Sequence, residues 1–144
     1  MAGTMMLSGT VQDGKGDAQK WLRLFARVYE SWLGQPIYPG SLNIDIGRPF
    51  DWHAPELLPH RRRFSLLLHG GERDLFMVPA RIVNPGEQSC WLWTTTTAAE
   101  YRDDPNVVEL IAPVRLRDSL GLTTGSQLEI IYPETWTGPG DPAA

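Results

Sequence analysis

Cysteine is nearly missing from this chain: one thiol, Cys90, in 144 residues, which excludes an internal disulfide and admits a reducing compartment. It lies between Ser89 and Trp91 in an apolar run and reads as buried and inert. Histidine is scarce too. His53, His60 and His69 share neither metal-ligand spacing nor a neighbouring cysteine pair, which argues against a zinc site. No apolar run approaches the ~18 residues that a membrane helix needs. The opening Met-Ala-Gly-Thr-Met-Met-Leu lacks the charged and long apolar regions of a signal peptide, so a cytoplasmic protein without a membrane partner is expected. Positive charge is also short. With 13 Lys and Arg against 17 Asp and Glu the net charge is −4, which disfavours non-specific binding to nucleic acid. The one basic cluster, Arg61-Arg62-Arg63 after His60, reads as a solvated strand entrance.

What is present is a core. Hydrophobic residues make up 42% of the chain and aromatics 10%, which suits a single folded domain rather than a disordered chain. Residues 1–132 are expected to form that domain, and 133–144, with Pro and Gly throughout, a flexible tail. No internal repeat or linker stands out, and a monomer or small homo-oligomer is expected.

The organising stretch is Pro39-Gly40-Ser41-Leu42-Asn43-Ile44-Asp45-Ile46. Pro-Gly reverses the chain. Thereafter Leu42, Ile44 and Ile46 fall on one strand face and Ser41, Asn43 and Asp45 on the other, because strand side chains alternate with period two. The first face is core. The second offers hard oxygen donors of the kind Mg²⁺ accepts when phosphate oxygens and water complete its octahedron; the alternative is an ordinary solvated face.

Upstream, Met6 to Val11 reads as a strand ending in the polar turn Gln12-Asp13-Gly14-Lys15-Gly16-Asp17. Asp17 suits an N-cap. Trp21, Phe25, Val28 and Trp32 recur at helical spacing, Leu22, Tyr29 and Leu33 widen the stripe, and Gly34 with Pro36 stops the helix. Two glycines one residue apart let backbone N–H groups approach a phosphate, with Lys15 and Lys20 supplying charge; equally, this is a common strand-to-helix turn.

Downstream, Gly47 to Pro59 reads as an irregular Pro-rich loop. Phe64 to His69, Leu75 to Val83, Ser89 to Thr97, Val107 to Ala112 and Gln127 to Tyr132 read as strands. Gly70 to Asp74 and Asn84 to Glu87 are turns, Glu100 to Asn106 is turn-forming, and Pro113 to Leu120 makes a short helix closed near Gly121. Six or seven short strands with one substantial helix inserted early predict a mainly β fold, closed or nearly closed into a barrel. Too few helices alternate with strands for a doubly wound sheet.

Four segments stand out together: Gly14-Lys15-Gly16-Asp17; Leu33-Gly34-Gln35-Pro36-Ile37-Tyr38-Pro39-Gly40-Ser41-Leu42-Asn43-Ile44; Val78 to Ile82; and Val107 to Arg117 with Leu120-Gly121-Leu122. In this order, over roughly residues 6 to 132, they resemble the archaeal-type CTP-dependent riboflavin kinases. The resemblance implies a six-stranded cradle-loop barrel, with one helix after the first strand and a short one near the C-terminus. The implied activity is transfer of the CTP γ-phosphate to the riboflavin 5′-hydroxyl, giving FMN.

By the same resemblance, Ser41 and Asn43 would hold Mg²⁺. Gly14, Lys15, Gly16, Asp17, Ala18 and Gln19, with Val114, Arg115, Leu116 and Arg117, would meet CTP. Glu109 would meet the ribityl end of the flavin and orient or deprotonate the attacking hydroxyl, the alternative being a strand carboxylate paired with an arginine. Thr97 and Tyr101 are the candidates for a further flavin contact.

The chain departs from the family in two places. Ala18 stands where the glycine turn has its third glycine and Gln19 where it has a basic residue. The Pro-basic-Thr-aromatic pattern before the Val107 strand is replaced by Thr94 to Asp103. Two further readings therefore stand beside the riboflavin kinase: a related kinase with another acceptor or donor, and a non-catalytic barrel that binds a flavin or nucleotide.

Overall fold

The structure is a computed structural model that describes residues 3–14, 17–67, 73–101 and 104–135, and of Asp17, Ala18, Glu100 and Tyr101 the backbone. Its elements run β1 (Met5–Gln12), α1 (Asp17–Leu24), α2 (Ala26–Leu33), β2 (Leu42–Asp45), β3 (Arg62–Ser65) and β4 (Asp74–Asn84). Then come β5 (Gln88–Thr95), α3 (Thr96–Tyr101), β6 (Val107–Ile111), α4 (Leu116–Ser119) and β7 (Gln127–Tyr132).

The seven strands form one antiparallel sheet in the order β3-β4-β5-β6-β2-β1-β7, and β7 also pairs with β4. Six strands thus make a hydrogen-bonded ring. The long β4 makes closure possible: Arg62–Ser65 of β3 pairs with its first residues, through Met77, while β7 takes Arg81 to Asn84 farther along. The strand count exceeds six because β3 is an appendage to the ring.

Period-two alternation sorts the ring's side chains into two cores. Leu7, Ile44, Val78, Leu92, Leu110 and Ile130 point inward and belong to one buried cluster. Trp52 and Leu57 from the Pro-rich loop join that cluster, and Arg61 fixes the loop by donating to the Trp52 carbonyl at 2.9 Å with its guanidinium 3.9 Å from the Phe76 ring. Residues of opposite parity, Leu75 and Met77 of β4 and Trp91 and Trp93 of β5, face outward under Leu22, Phe25, Tyr29 and Leu33. The helical stripe therefore packs on the outside of the ring.

The expected single helix is two. Phe25 leaves helical geometry at φ −112°, ψ 24°, yet the bonds Phe25 N–H to Trp21 O and Tyr29 N–H to Phe25 O, each 3.0 Å, keep α1 and α2 connected. Gly34 stops α2 at φ 75°, its N–H bonded to the Glu30 carbonyl, a left-handed cap that glycine adopts without a Cβ penalty.

A third helix, α3, replaces the expected end of the fifth strand. The Ala98 N–H donates to Thr95 Oγ1 at 3.0 Å, an N-cap bond that starts a helix where threonine's strand preference suggested continuation. The strand expected from Phe64 to His69 begins at Arg62 and ends at Ser65, and most of the Gly70–Asp74 turn lies outside the described residues. The residue 113–120 helix is confined to Leu116–Ser119. Among the described residues no helix is long and apolar enough to cross a membrane.

Candidate active site

Strand register assembles the site. Gln12 pairs with Asn43, Asn43 with Glu109, and Glu109 with Trp93, giving one row across β1, β2, β6 and β5. Each row member alternates with an inward residue (Val11, Leu42, Leu110, Leu92), so the row lies on the ring's outer face. Ser41, two residues before Asn43, shares that face and donates from Oγ to Glu109 Oε1 at 2.8 Å.

The Pro-Gly reversal that delivers Ser41 is tight. Tyr38 is anchored through its N–H to the Ala112 carbonyl at 2.8 Å, and the Gly40 N–H returns to the Tyr38 carbonyl at 2.8 Å. On the other side of Asn43 comes the glycine turn. A Cβ on Gly14 would lie 2.9 Å from Asn43 Nδ2, so a larger residue there would push the amide aside, and glycine lets the turn lie against it undisturbed.

A cavity of about 970 Å³ covers the row. Its lining includes Gly14, Gln19, Ser41, Asn43, Thr97, Glu109, Val114, Arg115, Leu116 and Arg117. Ten residues singled out from sequence for nucleotide, metal or acceptor thus line one space. Lys15 and Gly16 lie outside the described residues; Asp17 and Ala18 open α1, and Tyr101 ends α3.

Charge and aromatic surface divide the cavity. Arg115 donates to Asp118 at 2.6 Å, and that hydrogen bond, with the carboxylate's charge, raises the guanidinium pKa further above its ordinary range. Arg117 donates to Asp13 at 3.3 Å. Beyond Glu109 stand Trp93, Trp21 and Tyr29, with the Arg73 guanidinium 5.3 Å from the Trp21 ring centroid. Burial pushes the Tyr29 hydroxyl pKa up and keeps it protonated. Trp52 and Trp91 are core, whereas Trp93 also lines the cavity.

Sequence reasoning passed over Gln12, Asp13, Tyr38 and Arg73. Gln12 was accessible, because it has opposite parity to the apolar Val11. The others come to the cavity through loop packing, which leaves no periodic signal.

The donor set suits a hard cation. Ser41 spends its proton on Glu109 and keeps oxygen lone pairs, and Asn43 adds an amide oxygen on the same face. Among the described residues no group of three His, Cys, Asp or Glu forms a cage, so waters and ligand oxygens would complete the shell of a Mg²⁺ ion here.

Comparisons with known proteins converge. The model CTP-dep_RFKase, described as a domain of unknown function, DUF120, matches residues 11–131. A riboflavin kinase of Methanocella arvoryzae is 30% identical over 89% of this chain and 57% of its own length. One from Staphylothermus marinus is 27% identical over 87% of this chain and 89% of its own, and one from Pyrococcus abyssi 28% over 85% and 56%. The chain thus spans little more than half of the first and third of these relatives. With the family model covering most of its length and meeting the site's turn, strands and α4, the chain belongs to the CTP-dep_RFKase family.

Proposed function

We propose that this chain is a CTP-dependent riboflavin kinase, built on a six-stranded cradle-loop barrel, that moves the nucleotide γ-phosphate to the riboflavin 5′-hydroxyl. The observation that carries the reading is the Ser41–Glu109 hydrogen bond beside Asn43, in a cavity whose other walls are the Gly14 turn and α4. The riboflavin kinase relatives support it.

Phosphoryl transfer needs charge neutralisation and in-line positioning more than covalent help. Ser41 and Asn43 would hold Mg²⁺, which, when bound, neutralises phosphate charge and orients the transferred group. Arg115 and Arg117 bring cations to the same mouth, and each reaches phosphate by sharing the carboxylate it now holds. Glu109 orients or deprotonates the acceptor hydroxyl, a role typically contributing ~10²–10⁴-fold. Trp21, partly exposed and backed by the buried Trp93 and Tyr29, offers an aromatic surface beyond Glu109 for a polycyclic acceptor. Asp17, Ala18 and the Lys15-Gly16 pair complete the nucleotide segment, and Thr97 and Tyr101 the acceptor segment. The expected setting is cytoplasmic.

The test is FMN formation from riboflavin and Mg²⁺ with CTP, ATP, GTP and UTP in separate reactions, read by chromatography. FMN above background with CTP foremost is expected. FMN with another donor foremost reassigns the nucleotide. No FMN with any of the four, while CTP or riboflavin still raises Tm, makes the barrel a binding protein or a kinase for another acceptor.

A further inference from the structure

We infer that Asp13 and Thr124 are positioning residues for the nucleotide end of this cavity: they fasten the Gly14 turn to α4 and hold Arg117 at its mouth. The inference rests on the riboflavin kinase reading for its ligand, and on geometry for the device.

The bonds form one connected set centred on Asp13 Oδ1. Thr124 Oγ1 donates its single proton to Asp13 Oδ1 at 2.6 Å. Arg117 donates to the same Oδ1 at 3.3 Å and to Thr124 Oγ1 at 3.4 and 3.5 Å. The Arg117 side chain is 26% exposed, that of Asp13 81%. An exposed carboxylate at the mouth of a polyphosphate site repels its ligand unless its charge is engaged, and here it is engaged by the cation that serves the site.

Both ends of the device are anchored. Val11 N–H bonds the Ser126 carbonyl, Gly125 N–H bonds the Val11 carbonyl and Leu122 N–H bonds the Arg117 carbonyl, all at 2.8 Å. The turn carrying Thr124 is thereby fixed to β1 and to α4. Asp13 is the side chain that joins this frame to Gly14, and Gly14 presses on Asn43. Displacing Asp13 loosens the fastening of the turn to α4 at the nucleotide end and removes the shortest of the bonds that hold Arg117 at the mouth.

Asp13→Ala and Asp13→Asn separate this role from simple repulsion. Equilibrium binding of CTP with Mg²⁺ is measured for the full chain, with steady-state kinetics alongside. Asp13→Ala is expected to weaken CTP binding about tenfold and raise the CTP KM to match, leaving kcat and the riboflavin KM within about twofold. Asp13→Asn keeps the acceptor oxygen and restores affinity to the wild-type level or tighter. Thr124→Val weakens CTP binding about threefold, and in an Arg117→Ala background Asp13→Ala costs only that smaller factor, the Thr124 bond being all that is left to lose.

If Asp13→Ala binds CTP as tightly as wild type or tighter, the positioning role is overturned. Should the wild type bind none of the four nucleotides, the functional reading fails instead, and the device is read by hydrogen exchange. Faster exchange at the Val11 and Gly125 amides in Asp13→Ala then supports the fastening, and unchanged exchange overturns it.

Discussion

Glu109 accepts from Ser41 and faces Asn43 across the strand pair, so three side chains share one few-ångström region and different substitutions there have separable effects. Glu109→Gln keeps an acceptor for Ser41 and removes the carboxylate. It is expected to lower kcat by ~10²-fold or more, with the CTP KM little changed; wild-type kcat in this variant would remove Glu109 from the chemistry. Asn43→Ala instead removes an oxygen proposed for Mg²⁺. Turnover should fall on the order of 10²-fold and the Mg²⁺ concentration giving half-maximal rate should rise, with Tm near wild type. A normal Mg²⁺ dependence would sink the metal assignment. Ser41, Asn43 and Glu109 were legible because period two fixes a strand residue's face, and the family resemblance singled out those positions. Asp13 with Arg117 and Thr124 was not: its partners lie 104 and 111 residues away, and only the pairing of the first strand with the last brings them together.

At the scale of elements, β7 was read to the residue because turn residues bracket an alternating run. The helical stripe was read correctly as core, but its break at Phe25 was not, since nothing in Leu24-Phe25-Ala26 breaks a helix by propensity. The fifth strand shows the opposite failure. Thr94 to Thr97 favours strand by composition, yet Thr95 turns its hydroxyl to the Ala98 N–H and the chain becomes α3. The cap, rather than the propensity, decides. Thr95→Val keeps shape and β-branching while deleting the acceptor oxygen. It is expected to cost about 1 kcal/mol of stability and to speed exchange at the Ala98 amide. Because α3 supplies Thr97 to the cavity, the same variant should raise the riboflavin KM more than the CTP KM. Equal KM values to wild type, with faster exchange at Ala98, would detach α3 from acceptor binding.

For the molecule as a whole, closure was anticipated and its details were not: period two marks strands and faces, but the extra pairing of β4 with both β3 and β7 depends on β4 being longer than its neighbours need. Closure has a consequence for Cys90. Its thiol, 2% exposed within the ring's interior cluster, has its pKa pushed from 9.0 up to about 12, chiefly by burial. Below about 9 both folded and unfolded chains keep the thiol proton, so the group contributes nothing to the pH dependence. Between about 9 and about 12 the unfolded chain has lost that proton while the folded chain holds it. Stability therefore falls as pH rises, by about 1.4 kcal/mol per unit from this group. Cys90→Ala removes that slope and leaves the arginines and tyrosines as they were. Its destabilisation relative to wild type, about 1–2 kcal/mol at pH 8 from the lost packing, should shrink by about 2 kcal/mol at pH 10.5. Urea unfolding of both proteins at the two pH values measures it. An unchanged difference would mean that the thiol ionises in place without opening the ring, and that the interior admits water to Cys90.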